Sequence, residues 1–209
     1  MNPIKNLNRL LRDSSVSKIE ITATPPFVKL TFDRAELEGL LRAQSQIADV
    51  LSQHVIRRRV FWEDISAEHP EKVVESLTAA EAALDGLAAS ATDRNDAAAA
   101  LRKFARAWAA ACAATRKRLQ ERLDEIDAEK AQVLGYDFAG EDRQTALRNA
   151  LVSLRRTIYP LASALIAFLP EDEPTRQQAQ EKWDDGMNCI RDAAIQRSVL
   201  PDFDAANEA

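Results

Sequence analysis

Between residues 96 and 134, apolar or small side chains recur at Ala97, Leu101, Phe104, Trp108, Cys112, Thr115, Leu119, Leu123, Ile126 and Val133, in a stretch without proline or glycine. The steps are threes and fours, interrupted only by Lys130. Their mean of about 3.6 is the period of a straight α-helix rather than the 3.5 of a supercoiled heptad. The pattern predicts one long helix, and the remaining elements read as built to lie against its stripe.

The chain before it alternates between two periods. Asn2-Pro3 suits an N-cap followed by the first helical position. Ile4, Leu7, Leu10 and Leu11 then share a face, with Lys5, Arg9 and Arg12 turned away. Such a short amphipathic helix is marginal alone and needs a surface: its own body, a partner or a membrane face. In residues 18–23, Ile19, Ile21 and Ala23 alternate with polar positions, and in residues 27–32 Val28, Leu30 and Phe32 do the same. With Thr24-Pro25-Pro26 between them this is a β-hairpin, which must pack on helices or accept a third strand. Asp33 and Glu36 form a capping box flanked by a Phe32–Leu37 staple, opening a helix expected to run to about residue 59.

Pro70 suits the next helix start, and Val73, Val74, Leu77, Ala80, Leu84 and Leu87 carry it to about Ser90. Thr78 and Glu81 offer a second capping box within it, but one unbroken helix is the preferred reading. After Gly135, the pattern of Ala146, Leu147, Ala150, Leu151, Leu154 and Ile158 predicts a returning helix, kinked or restarted at Pro160. Leu161, Leu165, Phe168 and Leu169 mark the segment expected to be most buried. A last helix over residues 175–199 buries Trp183, Met187, Ile190 and Ala194. The fold class is therefore mainly α: an elongated bundle of about five helices around one long central helix, with an N-terminal β-hairpin and short amphipathic helix. Residues 1–32 hold the amphipathic helix and hairpin, 33–200 the bundle and 201–209 a flexible tail, together one structural domain.

Composition narrows the function more by exclusion than by assignment. Five glycines in 209 residues, with abundant alanine, agree with a helical protein. Residues 1–62 carry a balance of +4 and residues 63–209 a balance of −9, which is not the pattern of a dedicated nucleic-acid binder. No signal peptide is visible, and the most apolar run, residues 158–169, is too short and too interrupted to span a bilayer. A cytoplasmic, bacterial protein is the default expectation. Cys112 lies on the apolar stripe as a buried, reduced thiol, and nothing resembles a disulfide framework.

The two histidines, His54 and His69, have no ligand at metal spacing, so neither a metal site nor a cofactor is expected. No dinucleotide, Walker or nucleophile-elbow motif occurs. The carboxylate pairs Glu68/Glu71 and Glu121/Asp124 faintly resemble the magnesium-holding motifs of all-α nucleotide pyrophosphohydrolases, although solvated helix surface is the better account of both.

Three basic clusters remain. Arg57, Arg58 and Arg59 precede Phe61 and Trp62. Arg102, Arg106, Arg116 and Lys117 fall on one side of the long helix, and Arg155 and Arg156 form the third. Basic groups beside aromatics suit a nucleic-acid or protein contact, while the plain alternative is helix capping and ion pairing.

The long helix also divides by sign. Residues 97–122 carry a balance of +6 and residues 123–142 a balance of −6. Acidic groups at a helix C-terminus oppose its dipole, so a compensating surface is expected: an antiparallel second copy, or neighbouring helices of the same chain. Arg118, Glu121, Asp124 and Glu125 are then the self-association candidates. The functional expectation is a non-enzymatic helical assembly or adaptor subunit acting on a protein partner or a second copy of itself. The alternative is an accessory nucleic-acid-binding subunit that uses the basic clusters.

Overall fold

The computed structural model describes residues 15–23, 28–56, 70–91, 94–132, 139–170 and 174–195. The hairpin forms where the alternation places it. Strands β1 (Lys18–Ala23) and β2 (Val28–Asp33) pair antiparallel, with Ile19 opposite Phe32 and Ile21 opposite Leu30. The register puts both apolar rows on one face, so Ile19 and Phe32 are buried while Glu20 and Lys29 form an ion pair outside. No third strand is needed among the described residues, because β1 rests on helix α5 (Ala139–Ile166) and β2 on helix α4 (Asp96–Gln132). The Phe32 ring stacks on Phe104 at 4.8 Å.

The predicted capping box is present. The Glu36 amide donates to Asp33 Oδ1 at 2.8 Å, and the Asp33 amide donates to Glu36 Oε2 at 3.1 Å. The helix it opens is shorter than the sequence pattern suggests. Helix α1 (Arg34–Arg42) ends at Ala43, whose amide is shared between the Gly39 and Leu40 carbonyls in a tightened last turn. Helix α2 (Gln44–Val50) follows and runs into a π-turn (Leu51–Ile56). The break leaves Leu37 and Leu40 on one side of it, and Ile47 and Leu51 on the other, all in the core. Six α-helices rather than five are therefore described.

Helix α3 (Pro70–Ser90) is continuous, and the Thr78 hydroxyl donates back to the Val74 carbonyl instead of capping a second helix. Asn95 caps α4 by accepting from the Ala98 amide. Helix α5 runs through Pro160 without restarting, and residues 161–169 are buried without exception. Helix α6 (Pro174–Ile195) starts on a proline and buries Trp183 and Met187. Ile190 and Ala194, the N-terminal amphipathic helix, the Thr24-Pro25-Pro26 turn and the tail fall among residues whose structure or side chains lie outside those described.

Helix α4 is the axis of the bundle and packs against α1, α3 and α5 as well as the hairpin. All nine described members of its predicted stripe, from Ala97 to Ile126, are buried. Over residues 97–112 burial extends round most of the helix, because Ala98, Ala100, Ala105, Ala107, Ala109 and Ala111 admit close neighbours on several sides. Trp108 meets Trp183 of α6 edge to face at 5.4 Å. Beyond Thr115, among the described side chains, only Leu119, Leu123 and Ile126 are buried, and the helix presents an outer face to solvent. Among the described residues no helix is long and apolar enough to cross a membrane.

Candidate functional site

Arg57, Arg58, Arg59 and Trp62 lie outside the described residues. The stripe of Arg102, Arg106, Arg116 and Lys117 is only partly a free surface. Arg102 donates to the Ala91 carbonyl and so closes the α3–α4 connection. Arg116 lies 2.9 Å from Glu81 of α3. Arg106 and Lys117 are exposed.

The sign division along α4 is answered in part by its own chain. Besides Arg116 with Glu81, Arg143 of α5 bonds Asp127 at 2.7 Å and also pairs with Glu71 of α3. Three helices thus share one ion cluster at the acidic end. Leu119, Leu123 and Ile126 are 1%, 3% and 2% exposed, because α3 and α5 accompany α4 along this half, and Val133 lies outside the described residues. The only large apolar side chain exposed among the described residues is Tyr159.

The outer face of α4 remains. Arg106, Ala110, Lys117, Glu121, Asp124 and Ala128 are exposed along it, with Arg118 and Glu125 at its margin. Their bonds are local and solvated: Lys117 to Glu121 at 3.7 Å, Gln120 to Asp124, and Arg122 to Glu125. Arg118 makes neither an ion pair nor a hydrogen bond among the described residues.

The carboxylate pairs form no acidic cluster. Glu71 is drawn to Arg143, Glu121 and Asp124 point to solvent, and Glu68 lies outside the described residues. No group of three or more metal-ligating side chains is present among the described residues. Cys112 is fully buried, and burial, with the Glu81 carboxylate adding to it, pushes its thiol up to about 12.

A feature that residue patterning missed lies between the second half of α4 and the first half of α5. A half-open groove of about 320 Å³ runs there, with Leu119, Ala146 and Ala150 lining it. Arg118 and Arg122 border it on α4, and Thr145, Asn149 and Ser153 on α5. The α5 residues recur at steps of four, a signal visible in the sequence but identical to that of a solvated helix face. Only the facing helix turns the row into the wall of a cleft. Set against protein-family models, curated proteins and solved structures, the chain matches none.

Proposed function

We propose that this chain is a non-catalytic helical assembly subunit that works through protein contacts, with the outer face of α4 as its contact surface and a second, antiparallel copy as its simplest partner. The supporting observation is the order of exposed side chains on that face: Arg106, Ala110 and Lys117 toward one end, Glu121, Asp124 and Ala128 toward the other. With a two-fold axis at the level of Leu119, Lys117 faces Glu121 of the second copy, and Ala110 faces Ala128. The patch then complements itself in charge at Lys117 and Glu121 and in size at Ala110 and Ala128. The present Lys117–Glu121 contact is long and solvated, so exchanging it across an interface sacrifices little. A nucleic-acid role has less support, because Arg102 and Arg116 already hold α4 to α3.

Sedimentation of the full chain across concentration tests the reading. A dimer is expected. Lys117→Glu should weaken it, and adding Glu121→Lys should partly restore it. Arg116 is left unchanged because it pairs with Glu81. A monomer at every concentration would rule out the second copy.

A further inference from the structure

We infer that the groove between α4 and α5 is a binding site for a small monoanionic carboxylate carried on an apolar body. Arg118 is a cation on one wall that has no ion-pair or hydrogen-bond partner among the described residues. Facing it across the cleft, Thr145, Asn149 and Ser153 carry hydroxyl and amide groups that make no side-chain hydrogen bond among the described residues. Between these walls Leu119, Ala146 and Ala150 supply an apolar lining. The Thr115 hydroxyl takes no part, since it donates to the Ala111 carbonyl at 2.8 Å.

This is the composition of a small-ligand site: mostly apolar lining, a few polar groups that converge, and a volume at the lower end of the usual range. A guanidinium fork matches a carboxylate in shape and charge. One free positive charge also sets the ligand's charge. Arg122 borders the groove as well, but its Nη1 is held by Glu125 at 2.8 Å and lies 3.8 Å from Glu129. Asp142 adds a negative charge on the same lining. The Asp142 carboxylate opposes a doubly charged ligand such as phosphate more strongly than a singly charged one, and the Arg118 fork is suited to a single carboxylate.

The site lies on the α5 side of α4 and does not depend on self-association, so a monomeric protein leaves it standing. The test is a titration of the ¹⁵N-labelled full chain with sodium octanoate, followed through the Asn149 side-chain amide. At pH 8, octanol and inorganic phosphate serve as the neutral and dianionic controls. Octanoate should give saturable shifts, and both controls should bind roughly tenfold weaker or worse. Arg118→Gln, a change at an exposed position, should weaken octanoate binding roughly tenfold by removing the charge-assisted pair. Ala150→Leu should do so by filling the groove without altering charge. Amide dispersion verifies that both variants fold. Absence of saturable octanoate shifts, binding unchanged in Arg118→Gln, or phosphate binding as tightly as octanoate would overturn the assignment.

Discussion

The Lys103 ammonium stands 2.6 Å from the carboxylate of Glu36, joining the middle of the bundle to the capping box of α1. The same Nζ donates to the Thr31 carbonyl and lies 5.5 Å above the Phe32 ring. One side chain therefore ties β2, α1 and α4 together. Glu36 is buried, whereas Lys103 reaches the group from solvent along its aliphatic stem. Lys103→Met should cost about 2 kcal/mol by leaving a buried carboxylate short of its cation. The double variant with Glu36→Gln should lose less than the sum of the two single changes. Urea unfolding of the full cycle checks this, and additivity would show that the contact is inert.

Two helical glycines should respond in opposite directions to the same substitution. A Cβ on Gly39 would sit 2.7 Å from the Ala97 amide nitrogen and 3.0 Å from Asp96 Cβ, at the start of α4. Backbone cannot yield as a side-chain tip can, so Gly39→Ala should destabilise by about 1–3 kcal/mol. A Cβ on Gly86 would meet nothing within 4 Å. Gly86→Ala should stabilise by about 0.5–1 kcal/mol through the unfolded chain. Thermal unfolding of both variants gives the two signs.

Arg143 is the shared cation of the acidic end, held between Asp127 and Glu71. Arg143→Met should cost about 1 kcal/mol, more than an isolated surface pair, because three helices meet at it. The difference from the unaltered protein should shrink as sodium chloride is raised. A difference independent of salt would assign the effect to packing of the side chain instead.

Cys112 makes a pH prediction. Its thiol is raised from 9.0 to about 12 by burial, with Glu81 contributing. The folded protein therefore holds that proton more tightly than the unfolded chain. The associated stability is complete below pH 9 and declines as pH rises toward 12. Above pH 9 the unaltered protein should lose stability more steeply than Cys112→Ala, by up to about 1.4 kcal/mol per pH unit. At pH 8 the thiol should resist alkylation until urea unfolds the chain.

The sequence reveals those parts of this fold that rest on local periodicity. The α4 stripe, the apolar face of each hairpin strand, the Asp33–Glu36 capping box and the buried run ending at Leu169 all follow from spacing and capping chemistry. The break at Ala43 does not. No proline or glycine stands at that position to mark the turn. At Pro160 the helix does not restart, since a single missing donor is tolerated inside a well-packed helix. The pairing of Arg116 with Glu81 and the α4–α5 groove needed the helices brought side by side. Charges and hydroxyls on one helix carry no record of what faces them.

The uneven burial along α4 has a consequence for how the molecule opens. Its first half meets α1 at Ala97, the hairpin at Phe104, α3 at Ala105 and α6 at Trp108, whereas in its second half burial narrows to Leu119, Leu123 and Ile126 among the described side chains. Amide hydrogens on this one helix should therefore exchange on two clocks. Those around Trp108 open only with global unfolding, and those around Ile126 open earlier, when the ion cluster at Arg143 parts. A helix continuous in hydrogen bonding would then belong to two cooperative units, with the boundary near Thr115.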